Sequence, residues 1–206
     1  LIFFIFFHCV CIFSIDDILL NLEMLKIEFM SFFLNPLYNP VLTLIMVIVN
    51  KEKNMESKFS SEYKKNILDL YEKGEFQQIR DLSIELINRF PNEIFFYNIL
   101  AASLNELGLK EESFISYKKA LEKFPDASDL HYNLGNLYLE RNDIIEATNC
   151  YNIAINLNSK NIAAKFNLSK ILTSKEEFYR AKQLLEDILQ FDPENHQALN
   201  NLGNLN

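Results

Sequence analysis

The sequence predicts an all-α fold, an α-solenoid of stacked antiparallel helix pairs with about four repeats plus the first helix of a fifth. Three observations carry that prediction. Residues recur with a period of 34: Pro91, Pro125 and Pro193 stand 34 and twice 34 apart, Gly74 and Gly108 are 34 apart, and Leu100, Leu134, Leu168 and Leu202 form a separate ladder. Between these marks apolar residues recur at helical spacing, as Leu134, Leu137 and Tyr138 do. Only four Gly and five Pro occur in 206 residues, too few for a turn-rich all-β chain.

The first element in order, 1–54, is apolar and shows no period. It contains the runs Leu1–Phe7 and Val41–Val49, and charge rises abruptly at Lys51-Glu52-Lys53. Three readings stay open. A removed leader would lack the usual basic start and small-residue cleavage site. A membrane-associated segment would be short, because a span takes ~20 apolar residues and Asn39-Pro40 interrupts any extension of the second run back through Leu37. The third is a mis-set start, since the chain opens on Leu and Met55-Glu56-Ser57-Lys58 is an ordinary beginning directly before the regular region. We expect 55–206 to form the repeat array and to be cytoplasmic, with membrane association possible only through residues 1–50.

Repeats are expected at about 60–93, 94–127, 128–161 and 162–195, with a partial one at 196–206. The first is degenerate: Asn66-Ile67 replaces the Leu–small pair seen later, and Ser83 takes an aromatic place. The second carries Tyr97, Leu100-Ala101, Leu104, Gly108, Tyr117, Ala120 and Pro125. In the third are His131, Leu134-Gly135, Tyr138, Ala147, Tyr151 and Ala154. The fourth offers Leu168-Ser169, Leu172, Ala181, Leu185 and Pro193, and the fifth starts with Leu199 and Leu202-Gly203. This period and these residues resemble the tetratricopeptide repeat family, whose pattern runs large residue, Leu-Gly, Tyr, then small, aromatic, Ala and a closing Pro. The resemblance covers about Ser60 to Asn206.

The resemblance implies two antiparallel helices per repeat. Small residues such as Gly135, Ala147 and Ala154 then allow close helix approach, and Tyr138 and Tyr151 fill the grooves. Gly108 supplies a positive φ past a helix end, and Asp126 or Ser128 is expected to cap the next helix. No repeat buries its faces alone, so neighbours share the core. The fifth first helix has no second helix after it, which we read as a fragment of a longer protein.

The family also implies that first helices line a concave groove. Carried over by position, Asn133, Asn167 and Asn201 resemble the asparagine ladder of the O-linked N-acetylglucosamine transferase superhelix, where amides hold an extended peptide backbone. In the second repeat Ile99 holds that register and Asn98 stands one place off. Further groove candidates are Tyr132, Asn136, Phe166, Lys170, Asn200 and Asn204, with Tyr132 and Phe166 open also to a packing role. A chaperone-type carboxylate clamp is disfavoured. Asn136 and Asn167 match its amide places, but Tyr132, Gln197 and Asn201 stand at its basic ones, leaving a carboxylate uncompensated.

Other classes find little support. The net charge of −8 argues against nucleic acid. Cys9, Cys11 and Cys150 form neither a disulfide framework nor a metal spacing, and Cys150 reads as a buried small hydrophobe. His8, His131 and His196 lie far apart, His131 in a packing place, and no phosphate loop or nucleophile elbow occurs. Asp16-Asp17 and Glu111-Glu112 read as solvated faces. We therefore expect no metal, no cofactor and no catalysis within these residues. The expected function is a scaffold binding protein or peptide; the alternative is the substrate-recruiting arm of a larger glycosyltransferase or sulfotransferase.

Overall fold

The structure, a computed structural model, describes residues 40–205 and divides into two compact units, Leu1–Glu56 and Ser57–Asn206. The readings placed on residues 1–39, including His8, Cys9, Cys11 and Asp16-Asp17, lie outside the described residues. The described elements are helices: α1 (Pro40–Glu72), α2 (Phe76–Arg89), α3 (Ile94–Glu106), α4 (Lys110–Lys123), α5 (Ser128–Glu140), α6 (Ile144–Leu157), α7 (Ile162–Ser174), α8 (Phe178–Phe191) and α9 (His196–Asn204). Helix α1 runs unbroken through Lys51 and Met55, where the composition changes. Among the described residues no helix is long and apolar enough to cross a membrane.

From Ser57 onwards the unit is a row of helix hairpins. First helices α3, α5, α7 and α9 begin 34 residues apart at Ile94, Ser128, Ile162 and His196; second helices α2, α4, α6 and α8 do so at Phe76, Lys110, Ile144 and Phe178. Burial has the same period. Phe96, Leu130, Ala164 and Ala198 are fully buried, as are Leu86, Ala120, Ala154 and Ile188. The core is a chain of clusters, each joining one hairpin to its neighbour. One contains Ile67, Ile79, Leu86 and Phe96; the next has Ala101, Tyr117, Leu130 and Leu134. A third gathers Tyr151, Ala154, Leu168 and Leu172, and the last Leu185, Ile188 and Ala198.

Each turn inside a hairpin closes in one way. The residue two past the first helix is left-handed, at Gly74 (φ 72°), Gly108 (φ 77°), Asn142 (φ 60°) and Glu176 (φ 62°). The amide after it bonds back to the last turn, as Leu109 N to Leu104 O at 2.9 Å and Glu177 N to Leu172 O at 2.9 Å. Glycine meets this demand freely and asparagine tolerates it, but Glu176 carries a Cβ against the neighbouring carbonyl. Glu176→Gly is expected to stabilise the array by about 1 kcal/mol, read as a higher urea midpoint with an unchanged slope.

Capping differs from the sequence expectation. Neither Asp126 nor Ser128 caps α5; the N-cap is Ala127, which has no capping side chain. Ser128 bonds instead across the repeat, donating to Ala154 O at 2.9 Å and accepting from Asn161 Nδ2 at 2.9 Å. Side-chain caps come from Asp143, Asn161 and Asn195, which accept from Glu146, Ala164 and Ala198 amides.

Departures from the repeat pattern compensate in space. The first repeat's Ile67 and Ser83 are both fully buried, at the places held by Gly135 and Tyr151 in the third. The bulk has moved from second helix to first. A charge exchange follows the same logic. Lys123 Nζ stands 5.4 Å from the Tyr97 ring centroid, cation on the second helix. In the fourth repeat Lys165 is on the first helix, 5.3 Å from the Phe191 ring. Lys165 is 4% exposed and its ammonium reaches Asp187 at 3.2 Å.

Candidate functional site

The face of the first helices carries the amides. Asn133 Nδ2 donates to Asn98 Oδ1 at 2.8 Å, tying α5 to α3. Asn167 Nδ2 donates to Asn136 Oδ1 at 2.9 Å, tying α7 to α5, and the same oxygen accepts from the Tyr151 hydroxyl at 2.7 Å. The amides thus form two cross-repeat rungs rather than one continuous row. Asn98, one place out of register in sequence, is the partner of Asn133, 35 residues away. At the next interface the bonded pair, Asn136 and Asn167, is 31 residues apart. Strict periodicity hides both pairings.

Burial pushes the Tyr151 hydroxyl up to about 12, opposed by its hydrogen bond with Asn167, so it remains a donor that fixes Asn136. Each rung leaves hydrogen-bonding capacity unused. Asn133 and Asn167 each keep a carbonyl without a partner, and Asn98 and Asn136 each keep an NH2 without one. All four side chains are half-buried, and none of these four free groups is sealed from solvent.

The remaining candidates are scattered in role. Tyr132 lies tilted against Tyr151, centroids 6.0 Å apart, and packs on the third core cluster. Phe166 packs on the Leu185–Ile188–Ala198 cluster, and Lys170 Nζ lies 5.7 Å from its ring. Asn201 is half-buried and joins neither rung; Asn200 and Asn204 are exposed. His131 Nε2–H donates to Pro125 O, 2.8 Å away, tying its helix to the preceding turn. Cys150 is buried and free; burial, then Glu146, push its thiol up to about 11, away from the reactive thiolate. Among the described residues no group of three or more His, Cys, Asp or Glu is placed to hold a metal.

A cleft of about 300 Å³ opens elsewhere, on the side of the second helices. Its walls are Asn152 of α6 and Arg180, Gln183, Leu184 and Asp187 of α8, and its floor is Leu168 and Leu172 of α7. No sequence motif pointed to it. The only trace in the sequence is a loss of aromatic bulk: Thr148 and Leu172 stand one period after Phe114 and Tyr138.

Known proteins show the same architecture. The tetratricopeptide repeat family model matches residues 116–148. A tetratricopeptide repeat protein from Parabacteroides merdae superimposes with a TM-score of 0.59 at 19% identity, over 68% of this chain and 56% of that one. The chain thus spans little more than half of that protein's length. A thermophilic repeat protein of Thermus thermophilus gives 0.59 at 16% identity, over 68% of this chain and 77% of that one. The first repeat domain of Spaghetti (RPAP3), bound to an HSP90 peptide, gives 0.50 at 20% identity, over 54% of this chain and 89% of that one. No curated protein sequence matches the chain significantly. Helix pairs at a fixed period of 34, the family match at residues 116–148 and the shared architecture lead to one assignment: the unit Ser57–Asn206 has the fold of tetratricopeptide-repeat proteins.

Proposed function

We propose that the array is a protein-interaction scaffold that holds an extended polypeptide against its first helices. The observation that supports this reading is the pair of amide rungs with unused capacity. Each rung presents one free carbonyl and one free NH2, the complement of a peptide group's N–H and C=O. The rungs are already held by their cross-repeat bonds, so little side-chain freedom is lost on binding. Amides match backbone without reading side chains, so the partner is chosen by its ability to lie extended, with Asn201, Asn204 and Lys170 adding contacts towards α9.

Charge separates this from carboxylate capture. RPAP3 holds the peptide SRMEEVD. In this chain Asn136 and Asn167 bond each other, and Tyr132, Gln197 and Asn201 bring no cation to that place. A free acidic terminus would lose hydration with no compensating charge.

The test is selection of random peptides by display against the full chain. Binders are expected to lose affinity on backbone N-methylation and about tenfold, or 1.4 kcal/mol, in Asn98→Ala or Asn201→Ala. SRMEEVD is expected not to bind at micromolar concentration. Absence of binders, or binders indifferent to both substitutions and to N-methylation, would reject the reading.

A further inference from the structure

The cleft between α6 and α8 belongs to no rung and lies on the other helices of the hairpins. Its origin is visible by comparison with the preceding repeat. There Tyr138 rises between the second helices, edge-on to Phe114 with centroids 5.1 Å apart, and the Arg141 guanidinium lies 4.1 Å from the Phe114 ring. Tyr138 packs on the cluster that contains Cys150, and burial first, then the Cys150 thiol and the Glu146 carboxylate, push its hydroxyl upward. One period later the equivalents of Cys150 and Glu146 are Leu184 and Arg180, two walls of the cleft. The equivalent of Tyr138 is Leu172, and that of Phe114 is Thr148. Leu172 ends below the surface at 2% exposure, whereas Tyr138 reaches partly into solvent. The cleft is the space a tyrosine side chain occupies one repeat earlier.

We infer that this cleft receives a tyrosine side chain of a partner polypeptide, the ring over Leu172 and against Leu184, the hydroxyl between Arg180 and Asp187. The polar groups at the rim suit that occupant. Asp187 Oδ2 takes the buried Lys165 ammonium at 3.2 Å, and its second oxygen carries no hydrogen bond. Arg180 uses one nitrogen on Glu177 at 2.6 Å and keeps the others. Asn152 is half-buried, and its amide bonds no described side chain or backbone group. A phenol accepts from Arg180 and donates to Asp187, its ring also meeting the Arg180 guanidinium. Asn152 is placed to meet the backbone beside the inserted residue. An aliphatic side chain would leave Arg180 and Asp187 without a new partner, which favours tyrosine over leucine. This site stands apart from the rungs, so its outcome does not depend on theirs.

Methyl-detected NMR of the full chain tests it, with p-cresol as the side chain alone and N-acetyltyrosinamide as the residue in a peptide setting. Both are expected to give saturable shifts at the Leu168, Leu172 and Leu184 methyls, with N-acetyltyrosinamide at least as tight and toluene at least threefold weaker than p-cresol. Leu172→Tyr restores the residue found at the equivalent place of the preceding repeat, so it is expected to fold and to abolish the shifts. Should it not fold, Leu184→Phe narrows the cleft from the other wall with the same expectation. Absence of saturable shifts, shifts that persist in the filled variant, equal binding of toluene, or binding of p-cresol with exclusion of N-acetyltyrosinamide would each overturn the assignment.

Discussion

Tyr151→Ala is expected to destabilise the array by about 3–5 kcal/mol, the range for truncating a large buried aromatic. Tyr151 is fully buried and sits among Ala147, Ala154, Leu168 and Leu172. The void would not collapse readily, because its walls belong to three helices fixed by their own hairpins. Backbone spacing was set around this ring: a Cβ added at Gly135 would meet Tyr151 Cε1 at 2.8 Å and Cys150 Cβ at 3.2 Å. Removing the hydroxyl also frees Asn136 from the bond at 2.7 Å that orients it. Tyr151→Phe isolates that part and is expected to cost only about 0.5–1.5 kcal/mol. Urea unfolding followed by circular dichroism gives both values, and amide exchange shows where the loss falls, since repeat arrays open locally. Equal losses for the two variants would mean that the ring contributes nothing beyond its hydroxyl.

Leu134→Ala is expected to cost about 2–5 kcal/mol. Leu134 is 5% exposed and packs in the cluster of Ala101, Tyr117, Leu130, Leu137 and Cys150, where four helices meet. Its loss therefore weakens a contact between neighbouring hairpins as well as one within its own. Because stability in such an array sums over repeat interfaces, exchange protection is expected to fall in α4 to α6 first. The control is Ile145→Ala: this isoleucine is 70% exposed, and its truncation is expected to change stability by less than about 0.5 kcal/mol. Similar midpoints for both variants would place Leu134 outside the shared core.

The repeats were legible because a hairpin of fixed length must bury the same faces every time. Leu134 and Leu168 recur in sequence and are both buried; Gly108 stands where the turn requires a left-handed residue. The site was less legible. Asn133 and Asn167 share a sequence place, but one meets Asn98 and the other Asn136. A period identifies equivalent positions within repeats, while a hydrogen bond between repeats depends on which side chain of the facing helix lies within reach.

What sequence alone determined is the architecture: all helix, paired and stacked at a period of 34, because apolar spacing and turn residues act locally and repeat. Only the tertiary structure decided how each irregularity is absorbed. Ile67 and Ser83 read as departures from the pattern one residue at a time, yet both are buried in the first repeat, and Lys165 with Phe191 exchanges the helices that carry cation and ring. The lost ring at Leu172 is the contrasting case, for no described side chain fills the cleft above it. Volume and charge must balance within a packed interface, and that balance is struck between residues far apart in sequence, where no local pattern records it.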